Sequence, residues 1–147
     1  MRKTDDPLLL DNQVCFALYS ASLTMTKAYK PLLAELGLTY PQYLAMLALW
    51  EEDGVTVSDL GERLQLDSGT LTPLLKRLET AGLIKRLRDP RDERQVRLHL
   101  TPAGRALRGP AASIPRRIIC ASGHSADELK KLKRQLLKLR DNLAAMD

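Results

Sequence analysis

Apolar positions fall into two long helical stripes at the ends of the chain and a run of short elements between them. From Asp11 to Gly37, Val14, Leu18, Ala21, Met25, Ala28 and Leu32 recur at alternating steps of four and three, one face of a long helix. Asp11 is positioned to cap it, and Pro31 to kink or end it near Lys30, because proline removes a helical donor and restricts the residue before it. Near the other end, Ser125-Ala-Asp-Glu128 has the form of a capping box. Leu129, Leu132, Leu136, Leu139, Leu143 and Met146 then follow as an a/d seam, with Lys and Arg on the other faces. So narrow a stripe suits a partner helix better than a broad core, which predicts dimerisation elements at 11–37 and 110–147. The plainer alternative is an ordinary helix packed on its own domain.

The middle, residues 38–104, reads differently. Thr39-Tyr-Pro-Gln42 is a second capping box, with Pro41 just inside a helix that runs through Trp50 towards Gly54. Val55–Val57 is a short extended piece, and Ser58 caps a helix through Leu66. After Asp67 a second helix carries Leu71, Leu74, Leu75 and Leu78 inward and ends at Gly82. Pro73 implies either a distorted first turn or a helix that starts at Thr72. Leu83–Arg88 is a strand, Asp89–Glu93 a turn, and Arg94–Leu100 alternates with Val96, Leu98 and Leu100 inward and Gln95, Arg97 and His99 outward. Thr101-Pro102 caps a further helix. The predicted fold is mainly α with a small β-hairpin wing: a winged helix-turn-helix between terminal dimerisation helices, in a single unit spanning 1–147.

Composition narrows the function. At 147 residues, 44% hydrophobic and 28% charged, the chain can bury a core and is not a disordered one. No apolar run approaches the roughly 20 residues a membrane span needs, so no membrane partner is expected. The opening stretch is too acidic and too short in apolar residues for a signal peptide, which predicts a cytoplasmic protein. The net charge is +5, and its distribution matters more than its size. Residues 55–117 hold 13 Lys and Arg against 7 Asp and Glu, leaving 10 against 11 elsewhere. The positive excess sits where a phosphate backbone would be met, predicting double-stranded DNA as partner. The candidate contacts are Ser68, Gly69, Thr70, Thr72, Lys76 and Arg77 on the second helix, with Arg86, Arg91, Asp92 and Arg94 on the wing. A merely solvated charged face is the bland alternative.

Several stretches carry a more specific likeness. LDNQVCFALYSASLTMTKAYKPLL, LGLTYPQYLAMLALWE, LGERLQLDSGTLTPLLKRLETAGLI and DERQVRLHLT resemble the MarR-family winged-helix regulators, and within them the organic-hydroperoxide-sensing repressors known as OhrR. The resemblance covers nearly the whole chain. It implies a homodimeric repressor without a cofactor that leaves its operator when a cysteine is oxidised by an organic or lipid hydroperoxide.

Two cysteines, Cys15 and Cys120, are too few for a disulfide scaffold. Cys15 falls near the start of the first helix, where the positive end of the helix favours a thiolate. A thiolate attacks a peroxide to give a sulfenic acid, which condenses with a second thiol. A cysteine in that position is otherwise a small core residue; the resemblance makes Cys15 the sensor. Tyr19 lies at i+4 from Cys15. Tyr29 lies 14 residues on, roughly 21 Å along a straight helix, beyond reach of its own Cys15. If Tyr29 bonds the sulfur, as the resemblance implies, a partner subunit supplies it, together with Tyr40. The resemblance also implies an apolar peroxide pocket, for which Phe16, Met46 and Trp50 are the candidates. It makes Cys120, read as near the start of the last helix, the resolving thiol of an intersubunit disulfide, unless a small cellular thiol takes that part.

Three rivals remain. Cys120-x-x-x-His124 has tolerable metal-ligand spacing, but only two His and two Cys exist, with no matching cluster. A thiol peroxidase would share the first chemical step but leaves the basic hairpin without a role. A regulator released by a non-covalent phenolic or lipophilic ligand fits the same fold.

Overall fold

Side-chain caps set most of the element boundaries. The computed structural model describes residues 3–146. Helix α1 spans Val14–Ala34 and α2 Tyr40–Glu51. The α2 capping box forms as read: the Gln42 amide donates to Thr39 Oγ1 at 3.4 Å and the Thr39 amide to Gln42 Oε1 at 2.9 Å. Helix α3 is Val57–Leu64 and α4 Ser68–Thr80. Strands β1, Ile84–Arg88, and β2, Val96–Leu100, pair antiparallel with Ile84 opposite Leu100 and Arg88 opposite Val96. Helix α5 is Pro102–Ala106, capped by Thr101, and α6 is Arg108–Ala111. Helix α7 is Ile114–Ser122, and α8 is Ala126–Ala144, opened by the Ser125–Glu128 capping box.

Four boundaries differ from the sequence reading. Asp11 does not cap α1. It lies within a 3-10 turn, Leu10–Asn12, and Gln13 takes the cap position without a side-chain bond to the helix. Pro31 does not end α1, which continues to Ala34. Proline in the last turn disrupts few bonds, and Leu33, fully buried beyond it, contributes about 1.5–3 kcal/mol that offsets the cost. Thr56, not Ser58, caps α3, accepting the Asp59 amide at 3.1 Å. That helix stops at Leu64 because Gln65 turns left-handed, at φ 59°. Of the two starts the sequence left open for α4, the earlier one forms: the helix begins at Ser68, with Asp67 accepting the Thr70 amide at 2.8 Å, and runs through Pro73.

The described residues divide into two compact units, one ending at Ala111 and the other starting at Ala112. The core of the first draws Leu33 and Leu38 from the α1 end, and Tyr43, Met46 and Leu49 from α2. Leu60 comes from α3, Leu71, Leu74, Leu75 and Leu78 from α4, and Ile84, Leu98 and Leu100 from the hairpin. Helices α3 and α4 cross at Gly61, where an added Cβ would meet Leu71 Cδ2 at 3.1 Å. Gly82, at φ +78°, turns the chain from α4 into the hairpin.

The second unit is α7 and α8. On α8, Leu132, Leu136 and Leu143 are exposed and no residue is buried. On α1, Val14 and Met25 of the stripe are likewise exposed. No helix among the described residues is long and apolar enough to cross a membrane.

Candidate functional site

Helix α4 presents the face expected of a reading helix. With its four leucines buried, Ser68, Gly69, Thr70, Thr72, Lys76 and Arg77 all lie on the exposed side. Small hydroxyls occupy the first turns and the two cations stand further along, an order that suits base edges followed by phosphates.

The wing is held at several points. Its loop is closed by bonds from the Asp89 amide to the Gln95 carbonyl at 2.9 Å and from the Gln95 amide to the Asp92 carbonyl at 3.0 Å. Arg94 is almost fully exposed and pairs with Asp92 at 3.3 Å, so Asp92 braces an arginine of the wing tip. Arg91 is also exposed. Arg86 on β1 pairs with Glu79 of α4 at 3.4 Å, tying the hairpin to the helix. Residues 54–56 run alongside β2 and are bridged to it: the Gly54 amide donates to the Leu98 carbonyl at 2.9 Å and the Leu98 amide to the Val55 carbonyl at 2.8 Å.

Two carboxylates at the wing base were not singled out in the sequence. Asp53 Oδ1 accepts the amides of Gly54 and Leu100, both at 2.9 Å, and Oδ2 pairs with Arg105 at 2.9 Å. Burial pushes its pKa up, but these bonds outweigh it and hold the carboxyl below its ordinary value. Asp89 is buried; its Oδ1 accepts the Arg91 amide at 2.8 Å and its Oδ2 the Arg97 Nε at 2.8 Å. The Arg91 amide and then the Arg97 guanidinium keep it below the usual carboxylate range. Arg97 and His99, expected to point outward, are both half-buried. An aspartate eight residues from an arginine across a tight hairpin was the signal available.

Cys15 is an exposed free thiol and the second residue of α1, nearer the helix start than the sequence suggested. The Asn12 and Gln13 carboxamides fold the chain ahead of it. Asn12 Nδ2 donates to the carbonyls of Thr4 and Asp6, both at 2.8 Å, and Gln13 Nε2 to those of Pro7 at 2.6 Å and Leu9 at 2.9 Å. They brace the 3-10 turn that displaces the helix start from Asp11. The turn itself is closed by the Asn12 amide on the Leu9 carbonyl and the Gln13 amide on the Leu10 carbonyl, both at 3.1 Å.

Tyr29, Tyr40 and Tyr43 form one aromatic cluster, with ring centroids 4.8 Å apart for Tyr29–Tyr40, 5.8 Å for Tyr29–Tyr43 and 6.4 Å for Tyr40–Tyr43. Tyr43 was not picked from the sequence; its i+3 spacing from Tyr40 was the available sign. Burial, and then the neighbouring phenols Tyr40 and Tyr43, raise the Tyr29 pKa to about 12. Tyr19 is exposed on the face shared with Cys15.

The pocket candidates are dispersed. Phe16 is 38% exposed on α1, Met46 is fully buried in the core of α2, and the Trp50 indole donates to the Gly104 carbonyl at 2.9 Å. Cys120 is exposed near the end of α7, not at the start of the last helix, because Gly123 breaks the chain before Ser125 opens α8. Among the described residues no group of three or more His, Cys, Asp or Glu could hold a metal ion.

Residues 38–96 match the MarR family model. The chain is 51% identical over 143 residues to the organic hydroperoxide resistance transcriptional regulator of Bacillus subtilis strain 168, covering 97% of both proteins. It is 51% identical over 141 residues to the HTH-type transcriptional regulator TtmR of Methylorubrum extorquens strain PA1, covering 96% of this chain and 72% of that one. Among solved structures, reduced AbfR bound to DNA, from Staphylococcus epidermidis, superposes with a TM-score of 0.77 at 37% identity over 92% of this chain and 94% of that one. With a family model matched across the helices and the wing, and a relative half identical over nearly its whole length, the chain belongs to the MarR family of winged-helix transcriptional regulators.

Proposed function

We propose that this regulator is a homodimeric repressor whose hold on operator DNA is released when an organic hydroperoxide oxidises Cys15. The observation that carries the reading is an exposed free thiol as the second residue of α1, in a chain half identical to a hydroperoxide resistance regulator. In the single chain the thiol is exposed, and reactivity is what an accessible cysteine at a helix start offers.

In the proposed chemistry, the Cys15 sulfur attacks the outer peroxide oxygen. The O–O bond breaks, the alkoxide leaves and takes a proton to become the alcohol, and Cys15 becomes a sulfenic acid. The peroxide is thereby reduced by two electrons and the sulfur oxidised. The Cys120 thiol of the other subunit then displaces the sulfenic hydroxyl as water, forming an intersubunit disulfide. Tyr29 and Tyr40, packed against each other at a tilt, are the candidates to hydrogen-bond the other subunit's sulfur. Tyr19 stands on the sulfur's own helix. Phe16, Met46 and Trp50 are the proposed apolar lining for the organic tail, an assignment that rests on the resemblance.

The exposed leucines of α8 and the uncovered stripe of α1 supply the proposed dimer interface. Ser68, Gly69, Thr70, Thr72, Lys76 and Arg77 would enter the major groove, with Arg86, Arg91, Asp92 and Arg94 carried by the wing. Half-site spacing must match the DNA helical turn, so a disulfide that moves the subunits relative to one another breaks the fit.

A non-reducing gel tests the chemistry. Reduced protein treated with one equivalent of cumene hydroperoxide gives a dimer-sized band that disappears with Cys15→Ser and with Cys120→Ser. A band that survives loss of Cys120 contradicts the two-cysteine step. No band, together with a single added thiol mass on Cys15 in the presence of a small thiol, assigns the resolving role to that thiol instead.

A further inference from the structure

We propose that Arg97 is a positioning residue for operator binding: it buckles the wing hairpin, through Asp89, onto the backbone of Gly54 beyond α2, and so sets where Arg91 and Arg94 stand relative to α4. The inference rests on the reading that α4 and the wing contact DNA, and concerns a residue outside the contact set.

The guanidinium of Arg97 bonds in two directions at once. Its Nε donates to Asp89 Oδ2 at 2.8 Å and its Nη1 to the Gly54 carbonyl at 2.8 Å. Its backbone forms an isolated antiparallel bridge with Thr56. A planar fork can do this and a lysine cannot, because an ammonium lacks the fixed divergent donors. Asp89 passes the constraint onward, since its other oxygen accepts the Arg91 amide. One side chain therefore connects the segment after α2, the base of the wing and the loop residue that begins its tip. A two-stranded hairpin has little stability of its own, so the direction of the tip depends on ties of this kind. Arg97 is itself turned to protein partners, unlike Arg94, whose side chain is 92% exposed.

If Arg97 acts by aiming the wing, its loss weakens only those contacts the wing makes. This separates a positioning role from a general loss of fold or of positive charge, both of which would weaken the α4 contacts equally. The test is a double-mutant cycle on the full-length reduced protein. The probe is a DNA duplex enriched from a randomised pool by the wild-type protein, and urea unfolding checks the fold of each variant. Arg97→Leu is expected to lower affinity roughly tenfold. That loss largely disappears in an Arg94→Ala background, where the wing contact is already gone, and persists in full in a Lys76→Ala background. Asp89→Asn keeps an acceptor for the Arg91 amide and weakens the ion pair. It gives the same pattern at smaller amplitude and decides the matter if Arg97→Leu does not fold.

Wild-type affinity in Arg97→Leu and Asp89→Asn, or equal losses in both backgrounds, would overturn the positioning role while leaving operator binding intact. Failure of the wild-type protein to enrich any duplex would overturn the DNA-binding reading and, with it, the role of Arg97.

Discussion

The rings of Tyr29 and Tyr40 lie 4.8 Å apart and tilted by 50°, joining the last third of α1 to the first turn of α2. Burial is the larger cause of the raised Tyr29 pKa, and the neighbouring phenols add to it. A folded-state pKa above the unfolded value means that folding favours the protonated phenol. The stability this contributes is complete below the ordinary value of 10.0 and is lost as pH rises through about 12. A phenolate absorbance titration should show a late phase near that upper value, absent in Tyr29→Phe. An unchanged titration in the variant would mean that the cluster does not hold Tyr29 protonated.

At the acid end the sign reverses. Asp53 and Asp89 both have folded-state pKa values below the ordinary 3.8. Their contribution is present above that value and is lost as pH falls through the lowered ones. Urea unfolding followed from neutral pH down to about pH 2 should show a steeper loss for the wild type than for Asp89→Asn, which has no such proton to take up. Parallel curves would contradict the assignment.

The close approach of α5 to the start of the hairpin gives a stability test. A Cβ on Gly104 would lie 2.1 Å from the Leu83 carbonyl oxygen, whereas one on Gly109 would meet nothing within 4 Å. Gly104→Ala is expected to lose at least about 2 kcal/mol on urea unfolding. Gly109→Ala should be neutral or slightly stabilising. Equal effects would mean that α5 can shift without cost.

Much of this architecture was legible because it is local. The two capping boxes, the Thr101 cap and the Gly82 turn each depend on residues within four positions, and each formed as read. What was misread depends on distant or competing partners. Asp11 lost the cap position because the Asn12 and Gln13 carboxamides reach back to carbonyls as far as Thr4. Pro31 looked like a terminator because the burial of Leu33 beyond it is a tertiary fact. The tyrosine cluster joins α1 to α2, and the Arg97 buckle spans 43 residues to Gly54, so neither leaves a periodic trace. Helix α7 was hidden by Pro110 and Pro115 at its approach, which is why Cys120 was attached to the wrong helix.

The exposed seam of α8 bears on assembly. Leu132 and Leu136 are 45% and 36% exposed in the single chain, and a seam of alternating three- and four-residue steps, such as the one they belong to, is satisfied by a partner helix. Replacing both with Glu should convert a dimer to a monomer in sedimentation equilibrium. Operator affinity should fall with it, because a monomer contacts one half-site. A doubly substituted protein that remains dimeric would move the interface elsewhere.

In the proposed mechanism, oxidation of Cys15 controls the hold on DNA. Its most direct test is operator binding by fluorescence anisotropy, with reduced wild type and Cys15→Ser each titrated with cumene hydroperoxide. Wild type should release its duplex as roughly one equivalent of peroxide is consumed, while Cys15→Ser stays bound throughout. Release of Cys15→Ser, or retention by wild type whose Cys15 is shown by mass to be oxidised, would contradict the claim.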